Sequence, residues 1–145
     1  MEISSPVFDQ RKPIHKKYSC QGDNVSPELL IKGVPDSAES LALIVEDPDA
    51  PSGTFDHWLV WNISPKIERI DQGAKLLHQG VNHFGKIGYG GPCPPAGSKH
   101  RYYFKLYALD TQLQIPDGSS KAKLQESMKG HIVEEAELMG TYQKE

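Results

Sequence analysis

The sequence predicts a mainly β protein: an antiparallel β-sandwich with one or two short helices near the C-terminus. Three observations predict it. The 13 glycines and 11 prolines cut most of the chain into short pieces, which suits strands joined by turns better than a helical bundle. Three of those pieces are dense in β-branched, aromatic and aliphatic residues. No helical pattern alternates with them, so the strands pair antiparallel rather than through crossover helices.

In chain order, Ser4 to Phe8 and Leu29 to Lys32 are the first, weaker strand candidates. Ser40 to Glu46 (SLALIVE) and His57 to Ile63 (HWLVWNI) are clear strands bounded by Pro, Asp or Gly. Leu76 to Gly80 is another weak candidate, and Arg101 to Leu109 (RYYFKLYAL) is the third clear strand. Pro116-Asp117-Gly118-Ser119 reads as a turn, after which Ser119 or Ser120 can cap a helix. That helix carries Leu124, Met128 and Ile132 on one face and is weakened in its middle by Gly130. The tail from Glu137 to Gln143 returns to the sheet as a last strand.

A chain of 145 residues makes one domain the expectation, 1–145, able to fold around its own core. Sixteen Lys and Arg against nineteen Asp and Glu leave a net charge of −3, which excludes a global attraction for nucleic acid. No apolar run approaches the ~20 residues of a membrane span. The start, MEISSPVFDQRKP, has neither a basic nor an apolar signal region, so a cytoplasmic location is expected. Cys20 and Cys93 could form one bridge or stay free; a chain without an export signal favours reduced thiols.

Side chains alternate across a strand, so parity sorts them by face. In the third clear strand Tyr102, Phe104, Leu106 and Ala108 share the inward face, which His100 joins if the strand extends that far. Leu41, Leu43 and Val45 lead to Asp47 in the same way. His57 falls on one face with Leu59, Trp61 and Ile63. Each group alone reads as a satisfied strand-end residue. A carboxylate, two imidazoles and a phenol that all extend apolar faces beside Gly/Pro-rich loops point instead to an apolar-walled ligand pocket.

Two loops adjoin those strand ends. Gly88 to His100 (GYGGPCPPAGSKH) is long and aperiodic, its prolines stiffening what its glycines loosen. Its N–H groups near Gly90 and Gly91 suggest an anion-binding backbone nest. Asp47 to Gly53 (DPDAPSG) is a second stiff turn, in which Asp49 could act as a local cap. His15, His78, His83 and His131 read as loop or helix-surface residues without a role.

DPDAPSG, HWLVWNI and GYGGPCPPAGSKHRY, together with NVSPEL at Asn24–Leu29 and MKGHIVEEAELMGTYQ at Met128–Gln143, resemble the phosphatidylethanolamine-binding protein family, in its prokaryotic, Raf kinase inhibitor-like branch. The resemblance runs through nearly the whole chain. It implies an antiparallel sandwich with a small anion-binding pocket at one end, lined by Asp47, His57, Pro92, His100 and Tyr102, with Gly91 supplying backbone. Ile31 stands where many prokaryotic members have Trp. The implied partners are a small anionic or phosphorylated ligand such as a phosphoethanolamine head group, and a kinase or protease inhibited as by some relatives. It also implies a homodimer, to which Trp58 and Tyr107 on outer faces would supply apolar contact.

Other chemistries find less support in the residues. No G-x-S-x-G, H-E-x-x-H or C-x-x-C motif is present, so an Asp/His-dependent phosphoester hydrolase is the alternative rather than the expectation. Asp47, His57, His100 and Cys93 are ligand types that suit Zn²⁺, yet they lack tight ligand spacing. No cofactor and no metal are expected.

Overall fold

Two antiparallel sheets face each other in the computed structural model, which describes residues 1–145. The smaller sheet holds β1 (Glu2–Ser4), β2 (Leu29–Lys32) and β5 (Arg69–Ile70), in the order β1-β2-β5. The larger holds β3 (Ser40–Asp47), β4 (Phe55–Ile63), β6 (Lys99–Leu109) and β7 (Ile132–Gln143), in the order β4-β3-β6-β7. The one α-helix, α1 (Lys121–Met128), lies between β6 and β7 in the chain. The three clear strands and the C-terminal strand are therefore present, while β5 is an addition.

Alternation along the strands builds two cores. Leu41, Leu43 and Val45 of β3 meet Tyr102, Phe104, Leu106 and Ala108 of β6, and across the sandwich Leu29, Ile31 and Ile70 of the small sheet. Ile31 is buried in this inner core, so the smaller residue is accommodated there. Ala42 and Ile44 point the other way, into an outer core with Leu59, Trp61, Tyr107 and Leu109, covered by Leu113, Leu124 and Met128. With both its faces covered, β3 is buried along its whole length. Trp58 is wholly buried and Tyr107 nearly so, which removes them as exposed dimer contacts. The Trp58 indole N–H donates to Gln79 Oε1 at 2.7 Å.

Four local expectations change. β1 ends at Ser4 rather than starting there. Leu76–Gly80 forms a single bridge, Val60 with Gln79, and its backbone covers the β4 edge through Trp61 N–H to His78 O and Gly80 N–H to Leu59 O. The helix, capped by the Ser120 side chain, stops at Met128, because Gly130 takes φ +82° and turns the chain. Ile132 then opens β7. The free edge of β7 is covered by backbone mainly in its C-terminal half, where Arg11 N–H, Ile14 N–H and Lys12 O bond to Met139 and Thr141.

Cys20 and Cys93 are joined in a disulfide, against the expectation of reduced thiols. Sequence alone could not show that folding brings two cysteines 73 residues apart to a Cα separation of 5.4 Å.

On the outer face, Glu46 accepts from Lys105 at 2.7 Å and from Lys121 at 2.9 Å, and Lys121 also pairs with Asp56 at 2.6 Å. Burial works to raise Glu46, but hydrogen bonds from Lys105 and Lys121 outweigh it and hold the carboxyl below its usual value. Its contribution to stability is therefore complete above its ordinary titration range and is lost as pH falls through the lowered value. Replacing Lys121 with Met leaves two largely buried carboxylates short of a cation. The lysines' partial contact with solvent limits the expected loss to about 1–3 kcal/mol at neutral pH. Urea unfolding of wild type and Lys121→Met checks this, and the variant should show a shallower acid-side loss.

Candidate functional site

The pocket is built at the end of the large sheet where β3 stops. Asp47, the last residue of β3, pairs in register with Phe55, the first of β4. The register then slips: Val45 faces Trp58 while Glu46 faces Asp56, leaving His57 as an extra residue. This β-bulge re-aims β4. His57 and Trp58 both serve the inner side, and Asp56 serves the outer ion network. A second slip near Asn62, whose φ is +52°, puts Ile63 back on the inner side. The expected sharing of one face by His57, Leu59, Trp61 and Ile63 is thus corrected. Leu59 and Trp61 belong to the outer core, and Ile63 to the inner one.

A cavity of about 620 Å³ opens there, with Asp47, His57, His100 and Tyr102 in its wall. Ala50, Pro51, Phe55, Phe84, Pro94 and Pro95 make much of the remainder apolar, while Lys144 and Cys93 stand at its margin. Asp47 Oδ2 accepts from His100 Nδ1 at 2.6 Å, and its Oδ1 accepts from Asp49 N–H at 2.8 Å. Both oxygens are thereby committed, so Asp47 orients His100 rather than awaiting an ammonium group. The bond also leaves Nε2 as His100's free ring nitrogen. Asp49 is not a local cap; it pairs with Arg101 at 2.7 Å, and the Arg101 hydrogen bond holds its carboxyl down at about 2.

His57 Nδ1 donates to Gly90 O at 2.7 Å, which leaves Nε2 free. Burial pushes His57 below its ordinary value, against the opposing pull of the Gly90 carbonyl and the Asp47 and Asp56 charges. Its ring stands edge-on to Tyr102, centroids 5.2 Å apart, and also meets Phe55 and Phe84. The Tyr102 hydroxyl is buried without a hydrogen-bond partner. Burial, and then the neighbouring Asp47 charge, pushes its titration far above the ordinary tyrosine value, so it stays a neutral donor.

Gly91 and Pro92 are buried and do not line the cavity. Gly90 N–H is used by His57 O at 2.9 Å and Gly91 N–H by Asn24 Oδ1 at 2.8 Å, so the expected nest has no free donors at either position. Gly91 is required for another reason: a Cβ there would sit 2.1 Å from Tyr18 O. His83 and Phe84 are wall residues that the sequence reading left without a role. His83 Nδ1 accepts from Asp56 N–H at 2.8 Å, which docks the turn at residues 82–86 beside Phe55. The one available signal was an aromatic residue in an otherwise polar, glycine-containing turn. No three His, Cys, Asp or Glu side chains are grouped to share a metal ion, and Cys93 is spent in its disulfide.

The phosphatidylethanolamine-binding protein family model matches residues 4–143. The chain belongs to the phosphatidylethanolamine-binding protein family. Within it, the chain is 49% identical to a UPF0098 protein of Chlamydia muridarum, with 100% of both chains covered. It is 46% identical to a UPF0098 protein of Pyrococcus horikoshii, over 99% of this chain and 77% of that one. A crystal structure described as a phosphatidylethanolamine-binding protein homolog from Chlamydia trachomatis matches with a TM-score of 0.95 at 49% identity, covering 99% and 97% of the two chains. E. coli YbcL, described as a member of the mammalian family, matches with a TM-score of 0.91 at 32% identity, covering 99% and 98%. No helix is long and apolar enough to cross a membrane.

The burial of His57 gives a measurable signature. Its ring proton signals should titrate with a midpoint below the ordinary histidine value of about 6.5. Because the unfolded chain then takes up the proton first, stability should fall as pH drops below that value. NMR titration of His57, paired with unfolding curves across the same range, checks both.

Proposed function

We propose that the pocket binds small phosphorylated or otherwise anionic groups, of the phosphoethanolamine type, without covalent chemistry. The observation that carries this reading is Tyr102, whose buried hydroxyl makes no hydrogen bond beside Asp47, in the wall of the same cavity as two imidazoles with free Nε2 atoms. An anion entering there gives the phenol an acceptor and favours protonation of both rings, whose charged hydrogen bonds are the stronger kind. The apolar wall accounts for the rest of a ligand of this size.

The Asp47–His100 pair is the observation behind a second reading, a hydrolase of small phosphoesters, since an oriented imidazole is half of an activated-nucleophile arrangement. The only side-chain partner of His100 is Asp47, and that of His57 is a backbone carbonyl, so neither ring is bonded to a hydroxyl nucleophile. That relation supports binding over turnover.

Calorimetry with O-phosphoethanolamine and with sulfate tests the proposal. Sulfate stays doubly charged where phosphate monoesters change charge near pH ~6, so its pH dependence reports the protein alone. Affinity for sulfate should strengthen as pH falls through the histidine range and go on strengthening below about 6.5, because His57 titrates low. His100→Ala should weaken binding by about tenfold or more, the worth of one charged hydrogen bond. Unchanged affinity in that variant would remove the assignment, and phosphoester turnover lost in Asp47→Ala would favour the hydrolase.

A further inference from the structure

The disulfide adjoins the pocket through Cys93, and its two cysteines stand in different surroundings. Cys20 is exposed, on the segment that follows the 3₁₀ turn Lys16–Tyr18. Cys93 is half-buried and forms part of the cavity wall, with Lys144 Nζ 3.9 Å from its sulfur. Besides the sulfur bridge, three hydrogen bonds tie these segments together. Cys20 N–H donates to Pro92 O at 3.0 Å, Gly91 N–H to Asn24 Oδ1 at 2.8 Å, and the Tyr89 hydroxyl to Tyr18 O at 2.7 Å.

We infer that Cys20–Cys93 is a thiol–disulfide exchange site whose opening weakens anion binding in the adjoining pocket. The inference rests on the anion-pocket reading for its ligand effect, and on geometry alone for the exchange. A thiolate of a small thiol or dithiol attacks the sulfur of the exposed Cys20. A new S–S bond forms there, the Cys20–Cys93 bond breaks, and its electron pair leaves on the Cys93 sulfur as thiolate. The Lys144 ammonium beside that sulfur stabilises the departing charge, which speeds the step. With a dithiol, the second thiolate then attacks the mixed disulfide and releases Cys20. The reductant ends as its own disulfide, and the protein holds two thiols after gaining two electrons and two protons.

Opening the bond changes the pocket twice. The loop carrying Cys93, Pro94 and Pro95 keeps three hydrogen bonds to its neighbour but loses its covalent tether. Lys144, a cation facing the cavity in the oxidised protein, gains a thiolate partner in the reduced one and is partly neutralised for an incoming anion. Both changes weaken anion binding.

Exchange is tested by treating the oxidised protein with glutathione, alkylating the freed thiol and locating both labels by mass spectrometry. Glutathione on Cys20 and alkyl on Cys93 is expected, with a several-fold slower reaction in Lys144→Gln; the reverse labelling, or an unchanged rate, overturns the site. Reduction with dithiothreitol should accelerate amide hydrogen exchange at Gly91, and it should weaken O-phosphoethanolamine binding several-fold in wild type and by less in Lys144→Gln, where only the lost tether acts. Equal affinity of oxidised and reduced wild type would overturn the link between exchange and pocket. If neither form binds the probe, the anion reading fails, and the link fails with it unless Gly91 exchange accelerates on reduction.

Discussion

A single extra residue in β4 organises the pocket end of the molecule. Between Glu46–Asp56 and Val45–Trp58 the ladder skips His57, so adjacent residues are sent to opposite tasks. Asp56 goes outward to Lys121, and its backbone N–H docks His83. His57 goes inward to Gly90 O and the Tyr102 ring. Trp58 can then stay with the inner core and donate to Gln79. A bulge disrupts local pairing; here the displaced groups find partners in both layers, which is what makes the irregularity tolerable.

The electrostatics follow from the same placement. Three carboxylates, of Glu46, Asp47 and Asp56, are buried at the end of two adjacent strands. Glu46 and Asp56 are matched by lysines on the outer face. Asp47 faces the cavity and is matched by His100 and a backbone N–H. The pocket therefore presents rings whose nearer nitrogens are occupied and whose far nitrogens are not. Such a site is set in orientation before any ligand arrives, and little side-chain ordering remains to oppose binding.

What could be read from the residues was governed by alternation and by turn chemistry. The inward sides of β3 and β6 follow strict period two, so Asp47, His100 and Tyr102 were legible as strand-end groups. His57 was legible as a member of the site but not as a neighbour of Trp58, because a bulge leaves no mark on parity. The disulfide, His83 and the use of Gly91 as packing space depend on contacts between distant segments. Gly91 shows the limit well: its lack of a side chain reads as loop freedom, whereas its function is to let Tyr18 O approach. Parity alone places Tyr107 on the outward side of β6 but does not show that α1 and its preceding loop form a third layer over the large sheet and bury it.

The partly covered edge of β7 bears on how the protein avoids sticking to itself. Residues 11–14 close one half of that strand, and Pro13 contributes no N–H where the covering segment meets Thr141. The other half carries exposed Ile132 and Val133 but also Glu134, Glu135 and Glu137. Two copies laid edge to edge there would bring like charges into register, a protection against runaway sheet extension that also lets a long, partly apolar strand remain at the surface.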